Sequence, residues 1–141
     1  MWQEWQDSGF ALAYQETLSC NPSLNVMEDC PMADDKVLEQ ASAIFSRAWD
    51  AYTQRRLFEA ENLIRQAKDL WEQELGSESL QMSTCMNNLG RICEETDRAE
   101  EGIVWHRAAL AMRQKLLGDH PETAFCYGNL GTALAMAGYL E

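Results

Sequence analysis

The stretch that decides the fold is NNLGRICEETDRAEEGIVWHRAALAMRQKLLGDHPETAFCYGNLG, residues 87–131, because it begins and ends on the same Asn-Leu-Gly phrase. Gly76 and Gly118 follow two similar phrases and are 42 residues apart, and Gly90 and Gly131 are 41 residues apart. Between these glycines apolar residues recur at spacings of three and four, the period of an amphipathic helix. A helical unit that repeats after about 40 residues predicts stacked helical hairpins, because one hairpin alone cannot bury its apolar face.

Start and stop signals predict the first two helices of this repeat region. Asp34 or Asp35 can cap the first helix, which spans about residues 35–54. The second helix spans about residues 56–75, and Gly76 supplies the positive-φ residue that ends it. We find no sustained two-residue alternation, so strands are not expected.

The remaining signals predict three more helices. The third spans about residues 79–95, and Asp97 is expected to cap the fourth, which ends at Gly118. Pro121 suits the first turn of the fifth helix, which ends at Gly138. Residues 35–141 are therefore predicted to form one all-α domain.

The N-terminal residues 1–34 differ from the repeat region. Residues 1–19 can form one amphipathic helix with Trp2, Trp5 and Phe10 on its apolar side. A linker with two prolines and several turn-forming residues follows this helix. We predict a separate N-terminal helix that either caps the first hairpin or occupies a groove of the repeat region.

Charge and composition exclude several classes of partner. The chain has 11 Lys and Arg against 23 Asp and Glu, a net charge of −12. Nucleic acids and anionic membrane surfaces both select for clustered basic residues, so we expect neither as a partner. No apolar run reaches the roughly 20 residues of a membrane span, and the N-terminus lacks the basic start of a signal peptide. We predict a cytoplasmic protein whose five cysteines are reduced, mostly buried thiols.

No spaced set of residues in the sequence points to catalysis or metal binding. We find no glycine-rich phosphate loop, no Cys-x-x-Cys and no His-x-x-x-His, so we expect neither an enzyme nor a cofactor. We expect His106 to pack between helices with one ring nitrogen hydrogen-bonded.

Residues 87–131 resemble tetratricopeptide repeats of the long kind found in kinesin light chains. Three phrases carry the resemblance, which are Asn87-Asn88-Leu89, the turn from Asp97 to Gly102, and Leu117-Gly118-Asp119-His120-Pro121. The resemblance implies an α-solenoid, a right-handed superhelix of stacked antiparallel hairpins with about two and a half repeats. It places the repeats at about residues 41–76, 79–118 and 121–141, the last being incomplete.

The resemblance also implies a protein–protein interaction scaffold that holds a peptide or protein in the concave groove of the first helix of each hairpin. Asparagines in this groove would bind a peptide backbone, an arginine would pair with an acidic side chain, and aromatic rings would anchor apolar ones. Carried over position by position, the groove residues are Phe45, Trp49, Asn87, Asn88, Arg91, Asn129 and Thr132, with Tyr52 and Glu94 as further positions.

Several alternatives stay open at the level of sequence. Phe45 and Trp49 can instead pack against the helix of residues 1–19 or against the next hairpin, and the asparagines can instead only join the first helices of the hairpins to one another. The last helix lacks the partner that would complete its hairpin, which implies a longer array, cover by residues 1–19, or a homo-oligomer formed through this uncapped C-terminal face. A chaperone of the secretion type is a further alternative function.

Overall fold

A computed structural model of the protein describes residues 34–139. This part of the chain forms five α-helices and no β-strand, which confirms the all-α prediction. The helices are α1 (Asp35–Thr53), α2 (Leu57–Leu75), α3 (Leu80–Glu95), α4 (Ala99–Leu117) and α5 (Pro121–Met136). The helix predicted over residues 1–19 and most of the linker after it lie outside the described residues.

The helices pack as successive hairpins. α1 packs against α2 and α3 packs against α4, and the contact between α2 and α3 joins the two pairs. α5 packs against both α4 and α3, as the first helix of a third hairpin would. The first helices of the hairpins, α1, α3 and α5, are called the A helices below, and α2 and α4 are the B helices.

Most of the predicted helix ends are confirmed. The side chain of Asp34 accepts a hydrogen bond from the backbone N–H of Lys36 at 3.0 Å and so caps α1. Gly76 and Gly118 have positive φ angles of 84° and 61° at the ends of α2 and α4, a backbone region that glycine enters without steric cost. Pro121 occupies the first turn of α5, where its missing N–H leaves no hydrogen bond unmade.

The prediction that Asp97 caps α4 is wrong. The N-cap residue is Arg98, which makes no side-chain capping bond, and Asp97 lies one residue earlier with a φ of 59°. Arg55 and Gly138 stand at the equivalent places after α1 and α5, with φ angles of 62° and 81°. The short connection after each A helix therefore requires one left-handed residue, and aspartate is among the side chains that tolerate it.

The hydrophobic core lies between α1, α2 and α3. Its largest members are Phe45, Ile64 and Trp71, which are joined by Leu89 and Ile92 from α3. Because Trp71 is almost completely buried and contacts the Phe45 ring, the first hairpin is fixed by aromatic packing.

The second hairpin closes on two glycines. A Cβ atom at Gly102 of α4 would lie 2.9 Å from the carbonyl oxygen of Gly90 of α3, so the two backbones approach more closely than any other residue allows. Gly102 lies one repeat after Ala60, and Gly90 lies one repeat after Ala48. Both alanines are fully buried. Small residues at these positions therefore set the distance between the helices of each hairpin.

Candidate protein-interaction surface

Side chains of α1 and α3 meet where the first and second A helices lie next to each other. The Trp49 and Tyr52 rings stack with centroids 5.5 Å apart and an interplanar angle of 22°. The guanidinium carbon of Arg91 lies 5.6 Å from the Tyr52 ring centroid, and its Nη2 donates to the Tyr52 hydroxyl at 3.3 Å. We call this surface, made of Trp49, Tyr52, Asn88, Arg91 and Glu95, the junction face.

Electrostatics hold the junction face together. The Tyr52 hydroxyl donates to the Glu95 carboxylate, which also accepts from the Arg55 guanidinium. Burial, followed by the hydrogen bond to Glu95, raises the pKa of Tyr52 to about 12, so the hydroxyl keeps its proton at neutral pH. Glu95 is therefore fixed by a neutral donor and a cation, and Arg91 adds a second positive charge above the Tyr52 ring.

Asn88 is the polar side chain of this face whose hydrogen bonds are not made. Its residue is 1% exposed, and neither its amide nitrogen nor its amide oxygen has a hydrogen-bond partner within residues 34–139. Arg91 and Glu95 follow it by three and seven residues, which places all three on one side of α3. A buried amide that pairs with nothing costs on the order of 1–3 kcal/mol for each unsatisfied group.

The structure places Phe45 in the core of the first hairpin, against Trp71 of α2. Phe45 is 2% exposed, and its ring centroid lies 5.3 Å from that of Trp71 with an interplanar angle of 56°. This contact gives Phe45 a packing role within the first hairpin, and its role in a groove stays a prediction. Trp49 is half-buried and stays a predicted groove residue.

Asn87 belongs to a hydrogen-bonded cluster between helices, and its groove role stays a prediction. Its Oδ1 lies 3.0 Å from Nδ1 of His106 and accepts from Nδ2 of Asn129 at the same distance. The other ring nitrogen of His106, Nε2, lies 2.7 Å from Oε1 of Glu94. Both nitrogens of the fully buried His106 are thus satisfied, where the sequence prediction expected one. This cluster joins α3, α4 and α5.

The remaining predicted groove residues lie on α5. Asn129 is half-buried through its bond to Asn87, and Thr132 is exposed. The Thr132 hydroxyl donates to the carbonyl oxygen of Gly128 in its own helix at 3.1 Å. Neither residue contacts the junction face through a recorded hydrogen bond, and their binding role stays a prediction.

The residues predicted from the sequence did not include Arg55 and Glu95, which pair with each other. They did include Glu94, whose carboxylate hydrogen-bonds to His106. One signal was present in the sequence. Arg55 and Glu95 are 40 residues apart, and Tyr52 and Glu95 are 43 residues apart, close to the length of one repeat. Polar or charged residues separated by about one repeat, at or just after the ends of successive A helices, therefore meet between hairpins.

Within residues 34–139 no helix has the length and apolar character needed to cross a bilayer. The same part of the chain contains no group of three or more His, Cys, Asp or Glu arranged to hold a metal ion.

Comparison with known protein families adds to this geometry. A family model described as tetratricopeptide repeat matches residues 47–101, and a second one with the same description matches residues 83–122. Together they span residues 47–122, more than half of the chain. This chain belongs to the tetratricopeptide repeat family. The matched part of the tetratricopeptide repeat chain contains the whole junction face, and no curated protein sequence matches the chain significantly.

Proposed function

We propose that this tetratricopeptide repeat protein is an interaction scaffold that holds an extended peptide segment of another protein across the junction face. Repeats of this family generally mediate protein–protein interactions, which supports a role in binding another protein. The proposal that a peptide lies across the junction face rests on one observation. Neither the donor nor the acceptor of the buried Asn88 amide is paired within the described residues.

The chemistry of the junction face suggests how a peptide would bind. An amide offers an N–H donor and a C=O acceptor together, which matches one peptide unit of an extended backbone. Arg91, whose guanidinium lies over the Tyr52 ring, would pair with a carboxylate of the ligand, because a guanidinium has five N–H donors and can bind a carboxylate through two of them. The Trp49–Tyr52 stack would take an apolar side chain.

A selection of peptides from a random library against the whole protein tests this proposal. Each selected peptide is then measured by isothermal titration against the wild type, Asn88→Ala and Arg91→Glu. Arg47→Glu is the matched control, because it makes the same charge change at an exposed residue on the opposite side of α1 from Trp49.

We expect Arg91→Glu to weaken acidic peptides about tenfold or more, since an attractive pair becomes a repulsive one. Asn88→Ala should weaken all peptides that bind in the extended form, and Arg47→Glu should change affinity little. Selected peptides that bind the three variants and the wild type equally would show that the junction face is not the binding site.

A further inference from the structure

Within residues 34–139, no helix covers the outward side of α5, whereas α4 covers the same side of α3. Gly90 of α3 is buried beneath the His106 ring of α4, and a Cβ atom there would lie 2.7 Å from the ring. Its counterpart 41 residues later is Gly131, where a Cβ atom would meet no atom of residues 34–139 within 4 Å. The residues of α5 that correspond to the α4-facing side of α3 are here called the open face, namely Tyr127, Gly128, Gly131, Leu134 and Ala135.

The neighbouring B helix presents a positive charge beside the open face. Arg65 of α2 lies 3.8 Å from the Glu101 carboxylate of α4, and its guanidinium carbon lies 5.6 Å from the Trp105 ring centroid. The residue 42 positions after Arg65 is Arg107 of α4, which is exposed and for which the structure records no ion pair within residues 34–139. Arg107 therefore occupies the position from which Arg65 contacts the next B helix, and residues 34–139 contain no B helix after α4.

The outward side of α5 carries no charged side chain. The single charged side chain of this helix is Glu122, which is buried and paired with the Arg113 guanidinium. The outward surface of α5 is consequently uncharged, and Arg107 is cationic, although the chain as a whole carries a net charge of −12. An incoming helix that carries a carboxylate at the right place is favoured over one that carries a cation.

We propose that the open face and Arg107 dock an amphipathic helix of a partner protein. This helix carries a carboxylate, then a small residue, and an apolar residue four positions after the small one. The small residue packs on Gly131, as Gly102 packs on Gly90, and the carboxylate pairs with Arg107, as Glu101 pairs with Arg65. This helix-docking site shares no residue with the junction face, so its test does not depend on whether a peptide binds there.

The partner helix needs an apolar residue where α4 has His106, because α3 and α5 differ at the residues that face this position. In α3, Asn87 and Glu94 satisfy the two nitrogens of His106. The corresponding residues of α5 are Gly128 and Ala135, which offer no side-chain hydrogen bond. A histidine there would be buried without partners, whereas an apolar side chain loses nothing. The pattern therefore matches α2, in which Glu59 and Ala60 are followed by Ile64, better than α4.

A synthetic peptide with the sequence of residues 56–76, which contains α2, serves as the probe. Its binding to the whole protein is measured by fluorescence anisotropy, and the protected amides are located by hydrogen exchange. We expect saturable binding with protection in α5. Gly131→Leu should reduce the affinity about tenfold or more, because the new side chain occupies the space of the docked helix. Urea denaturation of this variant should show stability no lower than that of the wild type, since the position is open and leucine favours helix.

A charge exchange tests the role of Arg107. The Glu59→Lys peptide should bind the wild type about fivefold more weakly, and the Arg107→Glu protein should recover that loss. Absence of saturable binding, or equal binding to wild type and Gly131→Leu, overturns the proposal. A concentration-dependent dimer in sedimentation that Gly131→Leu abolishes also overturns it, because a second copy of this chain would then cover the open face.

Discussion

A Cβ atom on Gly90 of α3 would lie 2.7 Å from both Cε1 and Nε2 of His106 of α4. These two residues fix how closely the second hairpin closes, because His106 is fully buried and held by hydrogen bonds on both ring nitrogens. The imidazole cannot move aside without breaking one of these bonds.

Gly90→Ala should therefore destabilise the protein by about 1–3 kcal/mol, the usual cost of forcing one extra methyl group into a packed site. Gly131→Ala is the matched control at the equivalent position of α5, where a Cβ atom has no neighbour within 4 Å among the described residues. It should raise the free energy of unfolding by up to about 1 kcal/mol, because alanine is a better helix former than glycine. Urea denaturation followed by circular dichroism measures both, and equal effects at the two positions would contradict this account.

Asn87→Ala should lower the free energy of unfolding by about 2 kcal/mol, since it leaves Nδ1 of His106 and the Asn129 amide without their shared partner. Asn129→Ala should cost less, because the bond between Asn87 and His106 remains. If Asn87→Ala left stability unchanged and abolished peptide binding, Asn87 would be a groove residue.

Glu61 should make stability fall in acid. Its carboxylate accepts from Arg98 Nη2 at 2.6 Å and from Arg65 Nη2 at 2.8 Å. The hydrogen bond from Arg98 is the main cause that lowers the pKa of Glu61. A lowered pKa contributes stability above the unfolded-state pKa, and that contribution is lost as the pH falls through the folded-state pKa.

Glu61→Gln should consequently lower stability at neutral pH by about 1–2 kcal/mol and flatten its decline below about pH 5. Chemical denaturation across this pH range measures the difference between the two proteins. Glu59→Gln is the control, because Glu59 pairs with Arg56 on an exposed part of α2. A wild-type and a Glu61→Gln curve that stay parallel down to about pH 3 would refute this role for Glu61.

Asp97→Gly should stabilise the protein by up to about 1 kcal/mol, because glycine adopts the φ of 59° with less strain than aspartate. Asp97→Val should destabilise it, since a β-branched side chain is excluded from the left-handed region. Thermal unfolding of the two variants gives opposite shifts in Tm if the turn is as described. A lower Tm for Asp97→Gly would instead show that Asp97 caps α4 through its side chain.

The buried cysteines should resist thiol reagents. Burial raises the pKa of Cys85 and Cys126 and raises that of Cys93 to about 11, so little thiolate exists at neutral pH. In a Cys20→Ser/Cys30→Ser variant, all three should react with dithionitrobenzoate only when the protein unfolds. Rapid reaction of any of them in the folded variant would show that its helix opens to solvent.

Some parts of this protein were predictable because the signal is local. Gly76, Gly118 and Pro121 act through their own backbone preferences, so the ends of α2 and α4 and the start of α5 follow from the sequence. Asp97 misled the prediction because aspartate suits both an N-cap and a left-handed turn residue. In the structure the short connection between α3 and α4 takes Asp97 as its left-handed residue, and Arg98 is the N-cap.

The sequence by itself determined that the chain repeats after 41 or 42 residues as helical hairpins, because helix period and breaker residues need no knowledge of partners. Tertiary structure decided which side of each A helix is buried. Asn87 and Asn88 are neighbours about 100° apart around α3, so one binds His106 and the other lies with Arg91 on the junction face. Both sides of that helix are rich in polar groups, and only the packing of α1 and α4 against it separates a structural asparagine from a candidate binding one.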